Sequence, residues 1–167
     1  MILAIDPGLK PGYAILDPDV LVPRGPLMQE RSLPRIIWTG TRLPPTTYHV
    51  TAVVVEAQWS DRVFSRDPKN RVSVDSLLSL AFTAGTQCAT ASFAFAAYPY
   101  TILPTAWHAA IGPRNTSAQV VYNRIAAALT QEESELVTAH RKIDDILAAI
   151  GIGWAHYLGA SKQRIKF

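Results

Sequence analysis

The sequence predicts an α/β fold in which a mixed sheet is flanked by helices. Three observations carry this. Short apolar runs rich in β-branched residues crowd the first third of the chain and are separated by glycine and proline turns. The run Thr51 to Ala57 (TAVVVEA) holds three consecutive valines, the pattern of a strand buried on both faces. After it, helical and extended patterns alternate, so an early hairpin meander leads into β-α units.

Taken in order, Met1 to Ile5 is an apolar run expected to form a buried strand. Pro7, Gly8 and Gly12 punctuate a turn, and Tyr13 to Leu16 begins the returning strand of a hairpin. The proline-rich residues 17 to 35 read as a long loop. Arg35 to Thr41 (RIIWTGT) is the third strand and Thr51 to Ala57 the fourth. Residues 60 to 73 form a polar, basic loop. Ser73 or Asp75 is a candidate cap for a helix running to about Ala97. Tyr100 to Leu103 is a short fifth strand. Pro104 opens a short helix through Ile111, Gly112 to Thr116 turn, and Ser117 caps a helix to about Leu129. A last helix is expected from near Thr138 past Tyr157. Neither a repeat nor a linker interrupts this pattern, so residues 1–167 are expected to form one domain.

Composition sets the class. The chain is 49% hydrophobic and 17% charged, which is globular rather than disordered. Its net charge of +3 and pI near 9.2 are too modest to require a polyanionic partner. The distribution says more. Arg62, Arg66, Lys69 and Arg71 face only Asp67 in one segment, and Lys162, Arg164 and Lys166 cluster near residue 167. Such clusters are either phosphate contacts or solvated surface. The single cysteine, Cys88, excludes an internal disulfide framework and reads as a buried filler, which suits a reducing cytoplasm. MILAIDPG lacks a basic leader region, so no signal peptide is expected. Ser76 to Tyr98 carries no charge, but seven of its residues are Ser, Thr or Gln. It therefore reads as a buried central helix rather than a membrane span, which needs ~20 predominantly apolar residues.

Two carboxylates stand out. Asp6 and Glu56 each end a nearly all-apolar strand. Buried carboxylates are costly unless paired, neutralised or bound to metal. Two acids at the ends of neighbouring central strands can share a divalent cation; the alternative is a pair of unrelated, solvated strand-end acids. A third feature is Arg141-Lys142-Ile143-Asp144-Asp145, which opens an apolar helix. Acids there are also favoured simply by the helix dipole. Hard oxygen ligands without a Cys/His cluster suit Mg²⁺ or Mn²⁺. Carboxylates holding two such ions ~3.5–4 Å apart are common machinery for phosphodiester hydrolysis.

Four segments together resemble one family. ILAIDPGLKPGYAIL resembles the first hairpin of the RuvC-type Holliday junction resolvases, which have the ribonuclease H-like fold. VVVEAQW resembles the strand carrying that family's second acid. TILPTAWHAAIG followed by SAQVV, and DDILAAIGIGWAH, resemble its later segments in the same order. The resemblance implies a ribonuclease H-like, mixed five-stranded sheet and a homodimeric DNA endonuclease. That enzyme would use Mg²⁺ or Mn²⁺, two ions per active site, to nick four-way junctions. It places Asp6 and Glu56 at metal-ligand positions and Asp145, with Asp144 beside it, at a third. Trp59 falls where the family stacks an aromatic on opened bases, and His108 where it carries a DNA-contacting lysine. Ser117 falls where a second such lysine is lost, a charge that Arg114 and the basic residues Arg62, Arg66, Lys69 and Arg71 can replace.

The chain departs from the family at Ala148, where the last acid belongs. Three accounts stay open: the site has shifted onto Asp144 or Asp145, an inactivating Asp→Ala substitution stands at 148, or the protein binds junctions without cutting. A broader flap or branched-DNA nuclease is an alternative activity. A sugar-kinase or actin-like ATPase is a rival, because Asp6-Pro-Gly-x-x-x-Gly resembles its phosphate loop, but such proteins need two lobes. A small, divergent chain with an altered acid suggests a viral or mobile-element version.

Overall fold

The computed structural model describes residues 1–8, 10–57, 73–113, 116–160 and 162–164. The strands are β1 (Ile2–Asp6), β2 (Gly12–Pro23), β3 (Ser32–Gly40), β4 (Ala52–Glu56), β5 (Tyr98–Ile102) and β6 (Lys162–Arg164). The helices are α1 (Val74–Phe95), α2 (Pro104–Ile111), α3 (Ala118–Ala128), α4 (Gln131–Thr138) and α5 (Ile143–Tyr157). The sheet order is β3-β2-β1-β4-β5-β6. β1 pairs antiparallel with β2 and β2 with β3, whereas β1, β4 and β5 run parallel. The expected five-stranded mixed sheet is therefore present as β1–β5, and the short β6 extends it antiparallel along β5.

Alternation along the strands separates two cores. Ile2, Ala4, Ala14, Leu16 and Val54 face a layer of α2, α3, α4 and α5. Leu3, Ile5, Ile15, Val53 and Val55 face α1 through Ala84, Cys88 and Ala91. A strand that serves both faces must be apolar throughout, which is why β1 and β4 read as unbroken apolar runs.

The central helix is α5, not α1. Every residue from Ile146 to His156 is buried, so this helix is hydrophobic all round and lies inside the molecule. In α1 the buried residues are Ala84, Cys88, Ala91 and Ser92. Val74, Leu78, Phe82 and Phe93 stay exposed. The lack of charge between Ser76 and Tyr98 thus marks an uncovered face, not an interior position. Among the described residues no helix is long and apolar enough to cross a membrane.

Two other expectations change. The region 17–35 is not one loop, because β2 continues to Pro23, a 3₁₀ turn spans Pro26–Met28 and β3 begins at Ser32. The last helix starts at Ile143 rather than near Thr138, and α4 precedes it. The start of α4 is a capping box: the Thr130 hydroxyl accepts from the Glu133 amide while the Glu133 carboxylate accepts from the Thr130 amide.

Glu133 also anchors the helical layer to the sheet. It accepts from both terminal nitrogens of the buried Arg24 and, at 2.8 Å, from the Ile36 amide. Arg24 further donates to the Pro34 carbonyl at 2.8 Å and lies 4.6 Å from the centre of the Trp154 ring. Burial alone would push Glu133 up, but these hydrogen bonds overcome it and hold the carboxyl below its ordinary value of 4.5. Its stabilisation is therefore present above that value and lost as pH falls below it. Removing one partner strands a buried charge. Arg24→Met is expected to cost ~3–5 kcal/mol in urea unfolding, and Arg24→Met with Glu133→Leu to recover part of that loss. A single variant as stable as wild type would contradict this account.

Candidate active site

The site begins with register. Parallel pairing sets Ile2 beside Ala52 and continues to Ile5 beside Val55. One further step brings Asp6 beside Glu56. Side chains alternate across a sheet, so Asp6 follows Ile2 and Ala4 onto the α5 side, and Glu56 follows Val54. Both carboxyls thus leave the C-terminal ends of parallel strands on one face. They are hydrogen-bonded to each other.

Gly12 admits the third acid. It pairs with Asp6 across the hairpin, and a Cβ there would lie 2.0 Å from the Asp145 carbonyl oxygen. The glycine is needed for space: the first turn of α5 can sit over the hairpin only because nothing projects from position 12. Asp145 is thereby brought within electrostatic reach of Asp6. Its Oδ2 is shielded from solvent, accepts no hydrogen bond among the described residues and faces the Lys142 ammonium at 3.5 Å. Asp144 is one position round and exposed. The pair left open by the sequence therefore divides, with Asp145 at the cluster and Asp144 at its outer edge. Ala148, one turn further along α5, is 2% exposed and belongs to the apolar layer.

Burial first, then the charges of Glu56 and Asp145, then the hydrogen bond with Glu56 push Asp6 up to about 8. Such a group keeps its proton until a counter-charge arrives. Among the described residues the donor set is carboxylate oxygen, Asp145 Oδ2 accepts no hydrogen bond, and the acids repel one another. These features fit a hard divalent cation. Among the described residues, however, no three acidic, His or Cys side chains already stand close enough together to form a metal cage. The arrangement is a touching pair with a third acid across from it.

Two aromatic residues that the sequence did not single out complete the wall. The Trp107 indole Nε1–H of α2 donates to Glu56 Oε1 at 3.2 Å. Tyr122 of α3 stacks on Trp107, with ring centres 6.4 Å apart and planes 19° from parallel. Burial and then the negative charges of Asp6, Glu56, Asp144 and Asp145 push the Tyr122 phenol up to about 12, so it is a hydrogen-bond donor at neutral pH. From the opposite side of the sheet, Gln87 of α1 donates to the Gly8 carbonyl at 3.1 Å and pins the turn after Asp6.

His108 lies beside Trp107, ring edge to face at 4.0 Å, and burial pushes its imidazole down. It offers a neutral hydrogen-bonding group near pH 7 rather than a charge. Trp59, Arg62, Arg66, Lys69, Arg71 and Arg114 lie outside the described residues.

Thermus thermophilus RuvC superposes with a TM-score of 0.56 at 14% identity, covering 98% of this chain and 99% of that one. T. thermophilus RuvC in complex with Holliday junction substrate superposes with a TM-score of 0.54 at 15% identity, covering 98% of each chain. The chain has the RuvC-type, ribonuclease H-like fold. No family model matches its sequence, and no curated protein does. The likeness is one of architecture along the whole length.

The raised Asp6 carboxyl has a consequence for the metal-free protein. Asp6 binds its proton more tightly in the folded chain than in the unfolded one. Its stabilising contribution is therefore full below 3.8, its ordinary value, and lost as pH rises toward about 8. Thermal melts in EDTA from about pH 5 to 9 should show a falling Tm. Asp6→Asn should flatten that slope and be the more stable protein at pH 8. Parallel pH profiles for the two proteins would contradict the assignment.

Proposed function

We propose that this protein is a metal-dependent DNA endonuclease that resolves four-way junctions by paired nicks. The observation that carries the reading is the convergence of Asp6, Glu56 and Asp145 at one end of a RuvC-type sheet. Junction DNA as the substrate is supported by a neighbour of the same fold, matched over 98% of its chain, which is T. thermophilus RuvC in complex with Holliday junction substrate.

Asp6, Glu56 and Asp145 would hold Mg²⁺ or Mn²⁺, with Asp144 at the outer edge. The ion, when bound, makes water a nucleophile at neutral pH and offsets charge on the phosphate. The chain's own residues prepare the place. Asp6 gives up its proton as the cation arrives, so metal affinity rises by about tenfold per pH unit below 8. His108 and Tyr122 offer neutral donors near the phosphate. Arg62, Arg66, Lys69, Arg71 and Arg114 supply phosphate contacts, and Trp59 offers a stacking face worth ~1–3 kcal/mol per base.

The test is cleavage of a four-way junction beside flaps and Y-forks. Wild type should nick the junction in Mg²⁺, and Asp6→Asn or Glu56→Gln should slow nicking by at least ~10²-fold, the order expected when part of a metal site is lost. Full Mg²⁺-dependent activity in Asp6→Asn would overturn the reading; preference for flaps would favour the broader branched-DNA nuclease. The apolar setting of Ala148 supports a second reading, a protein that binds junctions without cutting. Binding in Ca²⁺ with no nicking in Mg²⁺ or Mn²⁺ identifies it, and Ala148→Asp should then restore cleavage.

The active form is a homodimer in this proposal, since a two-fold axis places two sites on opposed strands. The exposed Val74, Leu78, Phe82 and Phe93 of α1, on a helix with no charge after Asp75, fit an apolar surface on a second copy. Leu78→Glu with Phe82→Glu is expected to halve the solution mass measured by light scattering. A wild-type monomer at micromolar concentration would remove the dimer from the proposal.

A further inference from the structure

We propose that Trp107 is the positioning residue of the carboxylate site, fixing Glu56 against Asp6 through its indole N–H. Local sequence places it there. β5 pairs with β4 so that Ile102 stands beside Glu56, and α2 begins two residues later at Pro104. The first turn of α2 therefore rises next to the strand end that carries the acid, and Trp107 is the residue of that turn that points inward, 1% exposed.

The ring is held on several sides. Tyr122 stacks on it from α3 and His108 meets it edge to face. On α5, a Cβ at Gly151 would stand 2.7 Å from Trp107 Cζ3 and 2.8 Å from Ile125 Cδ1. Gly151 thus gives the benzo edge its space while the pyrrole edge carries the N–H to Glu56 Oε1 at 3.2 Å. A side chain clamped in this way points its donor in one direction only. The indole N–H has no acceptor function, so it favours a carboxylate oxygen and restrains Glu56 from turning away. A buried indole N–H also needs a partner, which makes the contact reciprocal. An isoleucine, leucine or phenylalanine at 107 would fill much of the volume and restrain nothing.

The test has two arms. In the metal-free protein, the Trp107 indole ¹H–¹⁵N resonance should move by several tenths of a ppm in ¹H on Glu56→Gln and much less on Asp145→Asn. Trp107→Phe keeps the ring and removes the donor. It should weaken Mn²⁺ binding by about 5- to 10-fold at unchanged secondary structure, and slow junction nicking at low Mg²⁺ while saturating Mg²⁺ restores most of the rate. A Trp107 resonance indifferent to Glu56→Gln would overturn the proposal. So would wild-type Mn²⁺ affinity in a folded Trp107→Phe protein. If the Phe variant fails to fold, the resonance arm decides alone. The nicking measurement rests on the nuclease reading, but the resonance does not, so a protein that never cuts DNA can still show Trp107 coupled to Glu56.

Discussion

The approach of α5 to the β1–β2 hairpin is the contact on which the rest of the site depends. Glycines make it sterically possible. A Cβ on Gly12 would collide with the Asp145 backbone, and one on Gly153 would stand 2.4 Å from Leu16 Cδ1 and 3.2 Å from the Ala4 Cβ. With both positions bare, the helix lies close along β1 and β2, and its continuous apolar surface from Ile146 onward drives it there. The same close seating delivers Asp145 to Asp6. Packing and chemistry are therefore one constraint: whatever lifts α5 from the hairpin also separates the acids.

Two buried ionic groups show how differently the chain treats charge. Arg24 and Glu133 satisfy each other, and most of their remaining capacity goes to backbone groups. This network fastens β3, α4 and the ring of Trp154 together. Asp6, Glu56 and Asp145 are the reverse: like charges gathered at two apolar strand ends and the first turn of α5, one of them held protonated to about pH 8. A fold that pairs buried charge in one place, and leaves it crowded in another, concentrates its unfavourable electrostatics where a cation or substrate can relieve them.

Much of this was legible in the sequence, and the limits have physical causes. Asp6 and Glu56 stood out because strands buried on both faces read as apolar runs, against which an acid is conspicuous. Asp144 and Asp145 could not be separated, since adjacent helical positions differ by 100° and only the seating over Gly12 decides which one turns to the sheet. The helix α4 was missed although Thr130 and Glu133 carry its capping box, and β6 because its basic residues read as surface. Absence of charge in α1 reads as burial, but it marks a face on which Val74, Leu78, Phe82 and Phe93 are exposed. Nothing in the sequence singles out Trp107 or Tyr122, because their polar ends gain meaning only when α2 and α3 are folded against the acids.

Ala148 is best understood within this electrostatic balance. It sits on α5 one turn after Asp145 and one turn before Gly151, the residue that makes room for Trp107. An acid at 148 would add a negative charge beside a cluster in which Asp6 already resists ionisation, and it would do so from a position 2% exposed, where an unpaired carboxylate is costly. The aromatic wall of the site supplies an indole N–H to Glu56 and a phenol kept protonated by the surrounding charge. Both are donors. A site with fewer acids and more donors repels itself less without metal and holds its remaining carboxylates in fewer orientations. The apolar residue at 148 and the aromatic donors on α2 and α3 are therefore compatible parts of a single arrangement.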